Sequence, residues 1–211
     1  MKKRIHLLCS KRNIPNRLLE KKCDEDWVGV DRGTFELLQA NIQPVYAVGD
    51  FDSVTEHERR FIEARMAIEI MPKEKDLTDL AYAVQKAIDM GYKKIKIYGA
   101  TGGRLDHFMG AMQILKNVDF KDKKIQLIDK QNIIELLTPG KYKKRRKSQY
   151  TYVSFIPATD NATLTLKGFK YTLEQQYLEQ GSTLTISNEF KDRYADIIVH
   201  EGLIYQIRSK D

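Results

Sequence analysis

The chain contains few of the residues that define several classes of protein. It has two cysteines among 211 residues, Cys9 and Cys23, which are too few and too widely spaced for a zinc-binding pair or a disulfide framework. Five prolines and no long Ser/Gly tract exclude a Pro-rich chain or a long flexible linker. We therefore interpret the chain as an ordered protein with two reduced thiols.

Long hydrophobic runs are also absent. No stretch approaches the roughly 20 apolar residues that a membrane-spanning helix needs. The basic start Met1–Arg4 could open a signal peptide, but the apolar stretch Ile5–Cys9 is interrupted by His6 and is too short for the core of such a signal. We expect a cytoplasmic protein without a membrane partner.

The sequence does contain core-forming residues and an excess of positive charge. Hydrophobic residues make up 42% of the chain and aromatic residues 9%, which suffices for a packed core. The length fits one large domain or two small ones. A formal net charge of +7 favours anionic partners such as nucleotides, nucleic acids or acidic membranes, without choosing among them.

Short apolar runs alternate with helix-like periodicity in the first two-thirds of the chain. Apolar residues recur every three or four positions over Leu77–Ile88 and Leu105–Met112, which is typical of helices with one packed face. This alternation predicts an α/β fold with a largely parallel sheet flanked by helices. The strand-like runs are Ile5–Cys9, Trp27–Val30, Val45–Val48, Ala67–Met71, Ile95–Tyr98 and Ile125–Ile128.

The pattern changes near Thr138. Period-two alternation then dominates, and helical signals are nearly absent. We therefore predict an α/β domain over residues 1–137 and an all-β domain over residues 138–211. The strands predicted there are Thr151–Ile156, Ala162–Leu166, Ser182–Ile186 and Ala195–Val199.

Two carboxylates follow the strand predicted to end at Val48. Asp50 and Asp52 lie two residues apart behind Gly49, which permits a tight turn out of the strand. Carboxylates this close repel each other unless a cation lies between them, and Mg²⁺ binds one or two carboxylates together with phosphate oxygens and water. The alternative is that Asp52 or Ser53 only caps the next helix.

A second acidic segment, Lys75–Asp79, lies at the start of a predicted helix. Asp76 and Asp79 are three residues apart and share one helix face, which is not the apolar face. They are candidates for metal or nucleotide binding. Acidic residues in a first turn also complement the helix dipole, so a structural role is the alternative.

A glycine-rich turn joins a predicted strand to a predicted helix over Gly99–His107. The amides of such a turn and of a helix N-terminus can bind a phosphate, and Arg104 can add a planar, bidentate contact. Asp106 either contacts a bound metal or supports the start of the helix. The spacing matches neither a Walker A loop nor a dinucleotide-binding fingerprint.

The segment Asp31–Gly33 follows another strand, where it either holds part of a nucleotide or forms a turn. The three segments described before it place five acidic residues and an arginine after successive strands of one parallel sheet. Ligand sites of such sheets lie beyond the carboxyl ends of the strands. The arrangement therefore indicates chemistry on a Mg²⁺-nucleotide complex.

The order and approximate spacing of these motifs resemble those of the thiamine pyrophosphokinases. The motifs are Asp31-Arg-Gly, Gly49-Asp-Phe-Asp-Ser, Lys75-Asp-Leu-Thr-Asp and Gly102-Gly-Arg-Leu-Asp-His. The pair Ser187-Asn188 is similar to the thiamine-binding loop of that family, so the resemblance covers essentially the whole chain. It implies an α/β catalytic domain, a β-sandwich thiamine-binding domain and a homodimer with thiamine in a cleft between subunits.

The resemblance also implies roles for individual residues. Carried over, Asp50, Asp52 and Asp79 bind Mg²⁺, helped by Asp106, and Arg104 contacts the phosphates of ATP. Thiamine is held by Thr185, Ser187 and Asn188, with Phe190 at the position where the family often has an aromatic that stacks on thiamine. The other candidates for nucleotide binding are Asp31, Arg32, Gly33, Lys75, Asp76, Thr101, Gly102 and Gly103. Some relatives have Gln where this chain has Lys75. The resemblance therefore implies either thiamine or a phosphate as the contact of Lys75.

The reaction implied by the resemblance is a pyrophosphoryl transfer. The thiamine hydroxyl attacks the β-phosphorus of ATP in line, AMP leaves, and thiamine diphosphate forms. Such transfers depend mostly on positioning and on neutralising charge.

Two other functions compete with this interpretation. Six of the seven residues in Lys141–Lys147 are basic, which suits a nucleic-acid-binding module, although a solvated interdomain loop is the simpler reading and no stacking platform accompanies the run. A Mg²⁺-dependent phosphohydrolase would use the same aspartates with water as the nucleophile. It leaves Ser187-Asn188 and the second domain without a role, so we rank it below the transferase.

Overall fold

The computed structural model describes residues 4–52, 54–70, 77–120 and 122–211. The chain divides into two compact units, Met1–Lys130 and Gln131–Asp211. This division lies before the boundary predicted near Thr138. The reason is that the strand Asn132–Leu137 pairs with Ile204–Ser209 at the end of the chain, so it groups with the second unit.

The first unit alternates strands and helices, as the sequence predicts. Its strands are β1 (Ile5–Leu8), β2 (Trp27–Val30), β3 (Tyr46–Gly49), β4 (Glu69–Ile70), β5 (Lys94–Tyr98) and β6 (Lys124–Ile128). Its helices are α1 (Leu18–Lys21), α2 (Arg32–Gln39), α3 (Glu56–Glu63), α4 (Asp79–Asp89) and α5 (Leu105–Lys116), with a 3₁₀ turn at Val118–Phe120. The predicted run Ala67–Met71 corresponds to β4, and Met71 itself lies outside the described residues.

These six strands form one parallel sheet in the order β6-β5-β1-β2-β3-β4. All residues of β1, β2 and β3 are buried, as expected for strands with helices packed on both faces. The chain adds β2, β3 and β4 on one side of β1 and then returns to place β5 on the other side. Ligand-binding crevices of open α/β sheets lie at such reversals, beyond the carboxyl ends of the strands.

His6, on the central strand β1, is a buried titratable group of this unit. Its side chain is fully buried and packs against the rings of Trp27 and Tyr98, with ring centroids 4.9 and 5.7 Å away. Its Nε2 lies 2.6 Å from Oε2 of Glu25, and its Nδ1 has no hydrogen-bond partner among the described residues. Burial lowers the pKa of His6 from 6.5 to about 4, because the hydrogen bond with Glu25 offsets only part of the desolvation.

This histidine makes the folded state sensitive to mild acid. The unfolded chain takes up a proton near pH 6.5 and the folded chain only near pH 4, so stability falls as the pH drops through that window. We expect the free energy of unfolding to decrease by about 2 kcal/mol between pH 7 and pH 5. Although partial burial raises the pKa of Glu25, hydrogen bonds with Lys22 and His6 lower it to about 2, so Glu25 stays ionised in this range.

Urea denaturation at both pH values measures this effect, with His6→Phe as the matched variant that cannot titrate. The variant should lose much less stability than the natural sequence on the same change of pH. An equal loss in both proteins would assign the acid sensitivity to other groups.

The second unit consists almost entirely of strands, as the sequence predicts. They are β7 (Asn132–Leu137), β8 (Gly140–Arg145), β9 (Tyr152–Pro157), β10 (Ala162–Lys167), β11 (Leu173–Leu178), β12 (Asn188–Glu189), β13 (Tyr194–Glu201) and β14 (Ile204–Ser209). One antiparallel sheet has the order β12-β9-β14-β7 and the other the order β11-β10-β13-β8. Side chains of both sheets, including Phe155, Leu166 and Ile197, share one buried core, so this unit is the predicted β-sandwich.

Two sequence predictions in this unit are wrong. Ser182–Ile186 is a turn-rich loop, in which Thr185 is buried while Leu184 and Ile186 are exposed. The alternation of apolar and polar residues in this segment therefore belongs to a loop in which one threonine side chain is buried. The basic run was read as a solvated loop, but most of it forms the edge strand β8, paired with β13.

No helix in the described part of the chain combines the length and the hydrophobicity that crossing a membrane requires.

Candidate functional site

The first carboxylate of the site belongs to Asp31, at the junction between β2 and α2. Its backbone has a positive φ of 49°, and its N–H donates to the carbonyl of Val48 over 2.9 Å. A Cβ atom at Gly49 would lie 2.0 Å from Oδ1 of Asp31. Gly49 therefore leaves room for this carboxylate beside the end of β3.

The second carboxylate, Asp50, is positioned by a buried neighbour. Phe51 has a left-handed backbone with φ 57°, is 2% exposed, and packs in a cluster with Leu38 and Ile62. This anchor turns the chain out of β3, leaving Asp50 half-buried and Asp52 exposed. Oδ1 of Asp50 accepts a hydrogen bond from the N–H of Asp52 over 3.0 Å.

Asp79 completes a cluster of three carboxylates. It is the first residue of α4, whose preceding Thr78 accepts a hydrogen bond from the N–H of Ala81 over 3.3 Å and so caps the helix. Asp31, Asp50 and Asp79 each offer a carboxylate oxygen, and these oxygens lie within 4.8 Å of one another. Three separate elements thus converge on one acidic cluster.

The cluster differs in membership from the predicted set of metal ligands. It includes Asp31, which the sequence motif places with the nucleotide contacts, and does not include Asp52 or Asp106. The position of Asp31 could not be read from spacing, because it depends on β2 lying beside β3 in the sheet. Lys75 and Asp76, both candidates for nucleotide binding, lie outside the described residues.

The glycine-rich turn follows β5 as predicted. Gly102 has φ 74°, and Oγ1 of Thr101 donates to Oδ2 of Asp129 over 2.7 Å. Asp129 is 5% exposed and directly follows β6. Thr101 therefore ties the turn to the adjacent strand, a role that the motif alone did not indicate.

Arg104, predicted to contact phosphates, is paired with Asp106 in this structure. Its Nε and Nη2 donate to the two carboxylate oxygens over 3.1 and 2.5 Å. The hydrogen bond from Arg104, with a further one from the amide of His107, lowers the pKa of Asp106 to about 2. The two exposed side chains thus form an ion pair at the start of α5, and the phosphate contact of Arg104 stays a prediction.

A second arginine, which sequence reasoning missed, covers the same turn. Arg12 follows β1, and its Nη1 lies 1.8 Å from the place that a Cβ atom of Gly103 would take. Nδ2 of the neighbouring Asn13 lies 2.1 Å from the corresponding position at Gly102. Both side chains thus lie directly against the turn, and the positive φ of Gly102 favours glycine at that position. Within the described residues, the guanidinium of Arg12 makes no ion pair or hydrogen bond.

Arg32 and Gly33 have structural contacts at the start of α2. Nη2 of Arg32 lies 2.5 Å from Oε1 of Glu58 on α3. A Cβ atom at Gly33 would lie 1.8 Å from the carbonyl oxygen of Leu8, so this position requires glycine for packing against β1. Their predicted contacts with a nucleotide stay predictions.

The predicted thiamine-binding loop lies in the second unit. Thr185 is 4% exposed and its hydroxyl donates to the carbonyl of Phe155. The amide of Asn188 bonds the backbone of Tyr171 in both directions, through Nδ2 over 2.7 Å and Oδ1 over 3.1 Å. Ser187 is exposed, with φ 57°, in contrast to the buried Thr185 and Asn188.

Two aromatic residues lie in this region of the second unit: Phe190 is buried and Tyr171 is exposed. Phe190 is 8% exposed, lies 4.8 Å from the ring of Phe169 and is covered by the guanidinium of Arg208 at 5.1 Å. This packing leaves little of its ring for the predicted stacking. Tyr171, held through its backbone by Asn188, is 59% exposed.

Comparison with known proteins matches both units. The family described as "Thiamin pyrophosphokinase, catalytic domain" matches residues 18–127, and "Thiamin pyrophosphokinase, vitamin B1 binding domain" matches residues 142–204. Each match lies within one compact unit.

Individual relatives give the same result. A thiamine pyrophosphokinase of Bacillus subtilis (strain 168) is 46% identical over 187 residues, covering 88% of this chain and 87% of the relative. A crystal structure of thiamine pyrophosphokinase from Bacillus subtilis superposes with a TM-score of 0.90 at 44% identity over 99% of both chains. One from Geobacillus thermodenitrificans has a TM-score of 0.87 at 38% identity, covering 100% of this chain and 98% of the other. The chain therefore belongs to the thiamine pyrophosphokinase family.

Proposed function

We propose that this chain makes thiamine diphosphate by moving the pyrophosphoryl group of ATP, as its Mg²⁺ complex, onto the hydroxyl of thiamine. The observation that carries the proposal is the cluster of Asp31, Asp50 and Asp79 in the unit that matches the catalytic domain. The second unit, which matches the vitamin B1 binding domain, would bind thiamine.

The acidic cluster fits a magnesium ion. Carboxylate oxygens are ligands that Mg²⁺ prefers, and it commonly keeps water and substrate phosphates as its other ligands. Three carboxylates within 4.8 Å also repel one another, which a divalent cation would relieve. Asp31, Asp50 and Asp79 would therefore hold the ion, and Asp52 and Asp106 stay predicted ligands. When bound, the ion would neutralise charge on the phosphate oxygens of ATP.

The chemical step is a displacement at the β-phosphorus. The thiamine oxygen forms a bond to the β-phosphorus, the bond to the α,β-bridging oxygen breaks, and AMP leaves with that oxygen. The hydroxyl proton passes to a carboxylate or to water. The residues of the chain act by holding both substrates in line and by supplying positive charge near the phosphates.

Arg12 would supply that positive charge at the glycine turn. It covers Gly103 without a partner among the described residues, whereas Arg104, which stays a predicted phosphate contact, forms an ion pair with Asp106. We expect Arg12→Gln to raise KM for ATP by at least about tenfold while KM for thiamine stays the same, since a charge-assisted hydrogen bond contributes about 1.5–3 kcal/mol.

Steady-state kinetics and direct binding of ATP in the absence of thiamine measure this effect. Arg17→Gln is the matched control, since Arg17 also follows β1 but pairs with the exposed Glu20 at 2.7 Å. Equal ATP affinity in the two variants would remove Arg12 from the site and leave the proposed reaction untouched.

On the thiamine side, Ser187 and Tyr171 are exposed. We propose that Tyr171 supplies the stacking surface predicted for Phe190. Asn188 would act mainly by holding the backbone of Tyr171 in place.

A homodimer is part of the proposal. In the first unit, Leu105 and Met109 lie one turn apart on α5 and are 77% and 55% exposed. In the second unit, Leu184 and Ile186 are 61% and 45% exposed. Exposed apolar side chains that lie beside one another are a feature of subunit interfaces. Sedimentation of the chain and of Met109→Glu tests this, with dissociation of a dimer as the expected result.

The reducing cytoplasm is the proposed location, which the two unpaired cysteines, Cys9 and Cys23, suit.

The experiment that tests the function is the measurement of AMP formed from Mg·ATP with and without thiamine. We expect AMP only with thiamine, in a ratio of one to one with thiamine diphosphate. ATP breakdown that does not depend on thiamine would support the phosphohydrolase instead. Absence of turnover in both conditions would contradict both.

A further inference from the structure

The second unit has a surface pocket that is lined by three arginines. None of the residues of the acidic cluster lines it. Its volume is about 440 Å³, and the lining residues are Arg145, Arg146, Ser148 and Arg193. Ligand pockets for small molecules commonly have volumes of roughly 300–1,000 Å³. This pocket is largely open to solvent, and its volume falls within the range of sites for one small molecule.

Backbone contacts bring these arginines together from two parts of the chain. The N–H of Arg146 donates to the carbonyl of Arg193 over 2.9 Å. The carbonyl of Arg145 accepts a hydrogen bond from Nη1 of Arg208, which is 6% exposed, over 3.1 Å. The pocket is thus anchored to the sandwich through hydrogen bonds and a buried arginine.

The charges of the pocket are not balanced by carboxylates. Within the described residues, Arg145, Arg146 and Arg193 form no ion pair with an acidic side chain. Three guanidinium groups around one cavity repel one another, so a bound anion would stabilise this arrangement.

Protection of a sheet edge explains only part of this charge. Basic side chains on an edge strand discourage pairing with other chains, and β8 is an edge strand. That explanation accounts for Lys141 and Lys143, and Lys143 also lies opposite Asp196 on β13. It does not account for Arg193, which reaches the cavity from outside the strand.

An aromatic ring lies beside the arginines. Tyr194 pairs with Arg145 across β8 and β13 and is 46% exposed. The guanidinium of Arg193 and Nζ of Lys143 lie 5.7 and 5.8 Å from the centre of its ring. In the sequence, no aromatic stacking platform accompanied the basic run. In the structure, the ring of Tyr194 lies beside it.

We propose that this surface binds a nucleotide unit, with its phosphate among Arg145, Arg146 and Arg193 and its base on the ring of Tyr194. Basic grooves that also present exposed aromatics bind nucleotides in this way, since every base has a face that can stack. The source is either a free nucleotide or a residue of a single strand, and both share this chemistry.

Binding to the full chain in the presence of EDTA tests the proposal, because chelation suppresses Mg²⁺-dependent binding of nucleotides at the acidic cluster. The probes are a labelled octathymidylate, followed by fluorescence anisotropy at about 50 mM salt, and AMP as a competitor. The test variants are Arg145→Ser/Arg193→Ser and Tyr194→Leu. The matched control is Arg59→Ser/Arg60→Ser, which removes one half-buried and one exposed arginine on α3 and the same net charge.

We expect the arginine double variant and Tyr194→Leu each to bind the strand at least about tenfold more weakly, and the control to bind almost normally. The salt dependence of log K should become shallower by about 1.4 in the arginine variant, at about 0.7 per lost phosphate contact. Displacement of the strand by AMP would support a free nucleotide, and failure of AMP to compete would support a strand.

Several results would overturn the proposal. One is equal weakening in the test and control double variants, which would show only an effect of net charge. Another is normal binding by Tyr194→Leu, and a third is no binding of either probe to the natural chain. Thiamine diphosphate formation should be the same in all variants, so this test is independent of the proposed reaction.

Discussion

Asp50→Asn should lower kcat/KM for thiamine diphosphate formation by at least about 10²-fold, as expected when a preorganised electrostatic group is lost. Asp50 contributes one of three clustered carboxylates, and its replacement removes a charged oxygen from the proposed magnesium site. The fold should persist, because the asparagine carbonyl can still accept the hydrogen bond from the N–H of Asp52. Activity as a function of Mg²⁺ concentration, with circular dichroism to check folding, measures both parts.

The control for this prediction is Asp196→Asn, an exposed aspartate on β13 of the second unit. It should keep nearly full activity. Full activity in Asp50→Asn would contradict the assignment of the cluster as the metal site.

Asp52→Asn asks a separate question about the same turn. The sequence motif predicts that Asp52 binds Mg²⁺, whereas its side chain is exposed and is not part of the cluster. A loss similar to that of Asp50→Asn would place Asp52 on the metal once substrate binds. Unchanged activity in a folded protein would limit the ligands to the three clustered carboxylates.

Gly33→Ala should have the largest effect on stability, lowering the free energy of unfolding by about 3 kcal/mol or preventing folding. The new Cβ atom would lie 1.8 Å from the oxygen and 2.5 Å from the carbon of the Leu8 carbonyl. Both are backbone atoms at the end of the central strand, so the clash cannot be relieved by a side-chain rotation. Helix α2 would have to shift, carrying Asp31 with it.

The matched control for stability is Gly110→Ala, in the middle of α5, where nothing lies within 4 Å of the new Cβ atom. This change should be neutral or stabilise the protein by up to about 1 kcal/mol, since alanine favours helix. Urea denaturation of both variants measures the contrast. Similar stability of the two variants would show that β1 and α2 can separate without cost.

Much of the fold could be predicted because the positions of buried apolar residues follow a regular spacing within each strand and helix. β1, β2 and β3 are short apolar runs, and α4 and α5 repeat apolar residues at helical spacing. The predictions failed where neighbours in space decide the outcome. The loop around Thr185 alternates like a strand, yet its hydroxyl bonds the carbonyl of Phe155 on β9 and the segment forms no ladder.

The basic run Lys141–Lys147 is the opposite case, because a segment predicted to be a loop forms a strand. Strand β8 carries charged side chains on both of its faces. Its sequence therefore lacks the alternation of apolar and polar residues by which a strand is predicted. Lys144 points inward and is paired with Glu135 at 2.6 Å, so an ion pair replaces the apolar contact that the pattern would require.

The sequence by itself determined the order of elements, the two-part architecture and the family to which the chain belongs, because these depend on periodicity and on short motifs. Only the tertiary structure decided which side chains share a site. Asp31 lies with Asp50 and Asp79 because β2 and β3 are neighbours, and Arg12 covers Gly103 because β1 and β5 are neighbours. Strand pairing brings together residues that are far apart in the chain, and no local pattern records which strands pair.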